Sequence, residues 1–259
     1  MTRSLVTGAG HRLGRAMALY LAGRGHDLAV HYATSRDAAQ SVVDEIQSMG
    51  RNAVLVQADL LEDAEAERLL PAAAQALGGP ITCLINNASI FEYDTVATAT
   101  RDSWDRHIGS NLRAPFVLTQ AMAAQGLKPE VDARGEPHAS GLIVNMVDQR
   151  VRKLTPEFMT YTIAKMGLWA MTQTTARALA PAIRVNAIGP GPTLQGARQT
   201  DAHFAAQRDA TVLRRGANPA DITAALGYFL DAPAITGQLL CVDGGQHLGW
   251  ETPDVQGVE

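Results

Sequence analysis

Seven short apolar runs recur along the chain, each separated from the next by a stretch with room for a helix. They occupy residues 4–7, 27–31, 53–57, 81–85, 142–147, 183–187 and 238–242. No other feature narrows the fold as much. In the first intervening stretch Leu13, Met17 and Tyr20/Leu21 repeat at helical spacing. In a later one Ala164, Leu168, Met171, Thr175 and Ala178 predict one helix face. Strands alternating with helices imply an α/β class, with a seven-stranded, mainly parallel sheet covered by helices on both faces. A chain of 259 residues that is 46% apolar and 19% charged can fill one large core. With no internal repeat and no linker tract, residues 1–259 read as a single domain.

Two segments interrupt the rhythm. Residues 128–140, with Pro129, Gly135 and Pro137, are polar and read as an exposed loop. After the sixth run, Gly189-Pro190-Gly191-Pro192 opens a long excursion over residues 193–216, placed where a substrate lid would sit.

Charge excludes some partners. A formal charge of -4 and a pI near 6.0 give no electrostatic case for nucleic acid or an anionic membrane. No apolar stretch approaches the roughly 20 residues of a bilayer span. The first strand begins almost at Met1, which leaves no room for a signal peptide. Cys83 and Cys241 sit in apolar runs and are expected to be buried free thiols, as in a cytoplasmic protein.

Thr7-Gly8-Ala9-Gly10-His11-Arg12-Leu13-Gly14 joins the first strand to the first helix. Gly8 permits a tight turn, Gly14 a close helix–sheet approach, and the helix N-terminus offers N–H groups to a pyrophosphate. Arg12 stands where such loops often carry another glycine. It could pair with a cofactor phosphate, lean toward a substrate, or remain solvated. Cofactor choice is read at the end of the second strand, where NAD-binding chains usually place an acid. Here His31-Tyr32-Ala33-Thr34-Ser35-Arg36 offers donors and no acid. His31, Ser35 and Arg36 suit a 2′-phosphate, so NADPH is the expected cofactor.

Asp148 closes the fifth run, and Tyr161 and Lys165 follow, four residues apart on one helix face. A strand's terminal polar residue is delivered to the sheet's carboxyl edge. A cationic amine lowers a neighbouring phenol's pKa, whereas a carboxylate opposes it, so the sign for Tyr161 stays open. Beside a carbonyl oxygen a carboxylate would repel, but beside a C=N nitrogen it could help deliver a proton.

Together the Thr7–Gly14 loop, Asp59-Leu60, Asn86-Asn87-Ala88, Asn111, Tyr161-x-x-x-Lys165, Pro190-Gly191 and Val242-Asp243-Gly244-Gly245 resemble the short-chain dehydrogenase/reductase family over essentially the whole chain. The resemblance implies a Rossmann-type domain and a homotetramer built on the helices around Asn111 and Tyr161. It implies that Asp59 and Leu60 flank an adenine and Asn87-Ala88 a ribose, with Leu13, Tyr32 and Met146 also bordering the cofactor. Tyr161 would donate the proton, Lys165 bind the nicotinamide ribose, and Asn111 anchor a water. Pro190, Gly191 and Thr193 would line the nicotinamide side.

The family usually has a serine where this chain has Asp148. Arg12, His31-Tyr32 with Ser35, Asn87-Ala88-Ser89-x-Phe91 and Asn145-Met146-Val147-Asp148 are similar to the pteridine reductases and to the bacterial dihydromonapterin and dihydrofolate reductases of this fold. That narrower resemblance implies that Phe91 stacks a pterin on the nicotinamide, that Arg12 and Ser89 contact the ring and phosphates, and that Asp148, Tyr161 and Lys165 supply the proton. The expected activity is NADPH-dependent reduction of a pterin or folate. A carbonyl reductase for 3-oxoacyl, sugar or other ketones, and a non-catalytic NADPH sensor, are the alternatives. The apolar tail, Gln246 to Trp250, would dock on a neighbouring subunit or fold back on its own chain.

Overall fold

In the computed structural model, residues 2–196 and 198–252 are described; positions 1, 197 and 253–259 of the expected domain lie outside the described residues. The strands are β1 (Arg3–Val6), β2 (Asp27–Tyr32), β3 (Ala53–Gln57), β4 (Cys83–Asn86), β5 (Glu130–Val131), β6 (Pro137–His138), β7 (Gly141–Met146), β8 (Ile183–Pro190) and β9 (Leu239–Val242). The helices are α1 (Arg12–Gly23), α2 (Arg36–Ser48), α3 (Asp63–Ala76), α4 (Arg101–Ile108), α5 (Ala114–Ala124), α6 (Met159–Leu179), α7 (Asp201–Asp209) and α8 (Pro219–Asp231).

Seven strands form one parallel sheet in the order β3-β2-β1-β4-β7-β8-β9. These are the seven apolar runs. Consecutive residues of a strand point to opposite faces, and both faces here are covered. Val6, Val30, Ile85 and Val144 pack with Met17, Leu21, Ile46 and Phe229 of α1, α2 and α8. Their neighbours Leu5, Ala29, Leu84 and Ile143 pack with Leu69, Leu70, Leu118 and Met122 of α3 and α5. Each such large side chain contributes roughly 1.5–3 kcal/mol when removed from water.

The order in which strands are added reverses between the parallel neighbours β1 and β4, which opens a crevice at their carboxyl ends. Both loops that follow these strands enter it. Thr7 Oγ1 accepts the N–H groups of Asn87 and Ala88 at 2.9 Å each, and Asn87 Nδ2 donates to the Thr7 carbonyl at 2.8 Å.

Three expectations are corrected and one is filled in. The polar segment 128–140 is exposed but not a plain loop: Glu130 pairs with His138 and Val131 with Pro137. Asp132 closes that hairpin by accepting N–H bonds from Arg134 and Glu136. The excursion after β8 carries α7, whose residues are all unburied and so leave no apolar stripe to read. In α6 the buried line runs Tyr161, Ala164, Lys165, Leu168, Thr172, Ala176, while Ala178 is exposed. Cys83 is buried, but Cys241 on the edge strand β9 is only partly so.

Candidate active site

The first strand ends at Val6, and Gly8 takes a left-handed turn at φ +63° that few side-chain-bearing residues tolerate. A Cβ on Gly14 would lie 2.2 Å from the Gly8 carbonyl oxygen, so only glycine lets α1 approach this loop. The α1 N-terminus has no side-chain cap and no acid in its first turn. Its leading N–H groups are therefore left for an anion, on the positive end of the helix. Leu13 packs its side chain onto the core.

Beside the loop is a cavity of about 190 Å³ lined by residues that include His31, Ala33, Asp59, Leu60, Ala88 and Ser89. At the opposite side, Gly191 N–H donates to Val242 O at 3.0 Å, and a Cβ on Gly191 would meet Asp243 at 2.5 Å. Buried Thr193 donates its hydroxyl to Gly191 O at 3.0 Å, which closes the turn that follows Pro190. An uncapped helix end, a groove at the strand reversal and a tight glycine turn across from it fit a dinucleotide.

His31 lines that cavity, but its ring nitrogens are already engaged. Its Nδ1 accepts the Gly8 N–H at 2.9 Å and its Nε2 meets the Ala58 carbonyl at 3.0 Å. With both ring nitrogens engaged, His31 braces the glycine loop, and burial pushes its pKa down to about 4, so it stays neutral. A 2′-phosphate would find no charge there. Tyr32 is half-buried against the core, whereas Ser35 and Arg36 are exposed at the start of α2. Among the described residues Arg36 meets no carboxylate. Arg12 also finds a contact outside the sequence reading. Its guanidinium donates to the carbonyls of Leu194 and Gln195 at 2.9 and 2.8 Å, tying the excursion after β8 to the glycine loop.

β7 delivers Asp148 to the sheet edge, and α6 brings Tyr161 against it: the phenol donates to Asp148 Oδ2 at 3.0 Å. Asp148 Oδ1 accepts the Arg150 N–H at 2.8 Å, capping the short 3₁₀ turn Gln149–Arg152. Burial raises the Asp148 pKa. Burial first, then the adjacent carboxylate, hold the Tyr161 phenol well above the ordinary tyrosine range. The sign left open by spacing thus falls upward: burial and Asp148 outweigh the opposing pull of Arg150 and Ser89. Lys165 Nζ donates to Met146 O at 2.8 Å, 5.6 Å from the Tyr161 ring centre, and burial lowers its pKa to about 8.

Asn111 lies in a π-helical turn, Gly109–Arg113, between α4 and α5. Such turns favour functional sites because they shift a side chain out of helical register. Its amide holds Ile90 at both ends, accepting the N–H at 3.0 Å and donating to the carbonyl at 2.8 Å. The next residue, Phe91, packs edge-on to Tyr161 at 4.7 Å, and Ser89 lies just before it in the same loop.

Three residues of this pocket escaped sequence reading. Phe158, at a left-handed φ of 56°, stacks on Phe91 at 4.4 Å with 12° between the rings. Arg198 lies over both rings and donates to Phe91 O at 2.9 Å, and Arg150 lies over Phe158. The face of Phe91 expected to meet a flat ligand is covered by Phe158 in this conformation. The one available signal was a phenylalanine shortly before the Tyr161 helix.

A dinucleotide crevice beside a buried Asp–Tyr–Lys group defines an NADP-dependent oxidoreductase of the doubly wound α/β class. Residues 8–247 match the family model described as enoyl-(acyl carrier protein) reductase. The chain belongs to the short-chain dehydrogenase/reductase family. FolM alternative dihydrofolate reductase 1 from Brucella suis, solved in complex with NADP, is 41% identical with a TM-score of 0.90 and 98% of each chain covered. The angucycline C-6 ketoreductase LanV with bound NADP is 29% identical, TM-score 0.85, covering 96% of each chain. The 3-oxoacyl-[acyl-carrier-protein] reductase FabG of Staphylococcus epidermidis is 31% identical over 252 residues, 95% of this chain and 98% of its own.

Proposed function

We propose that this chain reduces the C=N bond of a dihydropterin or dihydrofolate with NADPH. The observation that carries the reading is the 3.0 Å hydrogen bond from Tyr161 to Asp148, a carboxylate where carbonyl chemistry calls for a neutral hydroxyl. The α1 N-terminus would hold NADPH, with Ser35 and Arg36 available to its 2′-phosphate, and the bound cofactor would supply the hydride for a ring carbon. The adjacent ring nitrogen then gains basicity and takes a proton. Tyr161 is kept protonated at neutral pH by its raised pKa, so it reaches the reaction as an acid, and Asp148 can share the proton it must recover. Lys165 keeps positive charge beneath the pair, and Asn111 fixes the loop that carries Ser89 and Phe91.

A flat, polar-edged heterocycle suits the Phe91 face once Phe158 yields it. Similarity to the Brucella suis protein, described as an alternative dihydrofolate reductase, supports this substrate class. Similarity to FabG favours a ketone reductase as the second reading. Exposed Trp104, Phe116, Ile163 and Met166 on α4, α5 and α6 support a homotetramer, and exposed Leu248 and Trp250 suit docking on a neighbouring subunit better than folding back. No described helix is long and apolar enough to cross a membrane, which is compatible with a cytoplasmic enzyme.

The test is NADPH consumption across dihydrofolate, dihydromonapterin, dihydrobiopterin, biopterin, a 3-oxoacyl thioester and small ketones. The dihydropterins or dihydrofolate should be turned over best. Preference for the thioester or a ketone overturns the proposal, and absence of turnover with every compound revives a non-catalytic sensor.

A further inference from the structure

Beyond the Asp148–Tyr161–Lys165 group, a buried, closely hydrogen-bonded polar cluster near the pocket joins three residues the chemistry above does not use. Asp94, His107 and Thr160 are 2%, 0% and 2% exposed. Asp94 lies three residues after Phe91, His107 is on α4, and Thr160 immediately precedes Tyr161.

The hydrogen bonds run one way. Glu92 N–H donates to His107 Nε2 at 3.1 Å, so that nitrogen carries no proton. The ring proton is therefore on Nδ1, which donates to Thr160 Oγ1 at 2.6 Å. Thr160 has one hydroxyl proton, and it goes to Asp94 Oδ2. Asp94 also accepts the Thr160 N–H at 3.1 Å and the Ser103 hydroxyl at 3.1 Å, and its carbonyl accepts the Met159 N–H at 3.3 Å. Helix α6 begins at Phe158 without a side-chain cap of its own, so a carboxylate 66 residues away in sequence does the capping.

We propose that Asp94, Thr160 and His107 are positioning residues: they lock the Phe91 loop onto the N-terminal turn of α6 and so set the spacing between the Phe91 ring and the Tyr161 phenol. Asn111 holds the loop before Phe91 and His107 holds it after, through Glu92. The cluster does not relay protons to the reaction, because no member hydrogen-bonds the Tyr161 hydroxyl; His107 meets the Tyr161 ring only edge-on, at 6.0 Å.

The lock has a built-in acid limit. A proton added to His107 Nε2 would face the Glu92 N–H, donor against donor, and break that bond. The groups around His107 are Asp94 and Glu92 from the loop, Arg106 from its own helix, and Thr160 and Tyr161 from α6. Burial outweighs the two carboxylates and lowers its pKa, so release falls below the ordinary histidine range.

The kinetic part of this inference rests on the substrate reading of Phe91; the structural part does not, and the test separates them. Amide hydrogen exchange is followed by mass spectrometry on the holoenzyme with NADP⁺, for wild type, His107→Leu and His107→Gln. Glutamine can offer Oε1 in place of Nε2 and does not titrate. Wild type should lose at least about tenfold protection at residues 90–94 on acidification, His107→Leu should lack that protection at every pH, and His107→Gln should retain it at every pH. Protection at 90–94 that survives His107→Leu, or that His107→Gln loses with acid as wild type does, overturns the lock. Should His107→Leu fail to fold, the comparison of glutamine with wild type decides. In kinetics, His107→Leu should raise the substrate KM about tenfold while the NADPH KM stays within about twofold. If protection falls as expected and the substrate KM does not move, the lock stands and the placing of substrate on Phe91 is wrong.

Discussion

The Tyr161 hydroxyl donates to the Asp148 carboxylate at 3.0 Å in a buried pocket, where burial raises both pKa values and the carboxylate raises that of the phenol further. The phenol therefore holds its proton at neutral pH, with the carboxylate as its hydrogen-bond partner.

Replacing Asp148 with serine removes the charge and restores the hydroxyl that ketone substrates need. Dihydropterin turnover should fall at least about tenfold, while ketone turnover rises; a positioned proton donor removed outright costs about a hundredfold or more. Steady-state rates with both substrates check this, and an unchanged dihydropterin rate removes the carboxylate from the mechanism. Tyr161→Phe should cost at least about tenfold to a hundredfold in kcat with NADPH binding retained, and near-normal turnover rejects it as the donor.

Lys165 titrates near 8 because burial disfavours its charge. As pH rises through that value the ammonium is lost, so kcat/KM should fall along an alkaline limb. Lys165→Arg keeps its charge throughout and should lack the limb at whatever activity it retains. A limb that persists in the variant belongs to another group.

His31 is held neutral with its pKa at about 4, below the ordinary 6.5. Its folded-state pKa is depressed, so the unfolded chain takes up the proton first as pH falls. Stability is complete above about 6.5 and lost toward 4, by about 3 kcal/mol from this residue at about 1.4 kcal/mol per pH unit. Denaturant unfolding of wild type and His31→Gln at several pH values measures it. The variant should be weaker at neutral pH and show a shallower acid slope.

With the ring nitrogens of His31 engaged, discrimination for the 2′-phosphate is expected to rest on Ser35 and Arg36, exposed at the start of α2. Arg36→Asp should lower kcat/KM for NADPH about tenfold or more, because a charge-assisted pair becomes a repulsion, and should spare NADH. Equal losses with both cofactors would locate the discrimination elsewhere.

Local spacing alone determined much of this protein. Seven apolar runs became the seven strands of the main sheet, since a strand buried on both faces needs nearly continuous apolar sequence. Gly8, Gly14 and the position of Asp148 at a strand's end were legible for the same reason: each is a consequence of backbone geometry within a few residues. Segments without a buried face, the β5–β6 hairpin and α7, left no such pattern.

Tertiary structure decided the rest, because it depends on which distant groups share a dry site. Whether Tyr161 is more or less acidic turned on burial and on a carboxylate 13 residues away, neither of which spacing can weigh. His31 is tied to the glycine loop because Gly8 and Ala58 converge on its two nitrogens. Phe158 and Arg198 joined the pocket from a left-handed turn and from an excursion 107 residues beyond Phe91. Sequence specifies where each side chain leaves the backbone; only packing fixes what surrounds it, and the surroundings set its charge and partners.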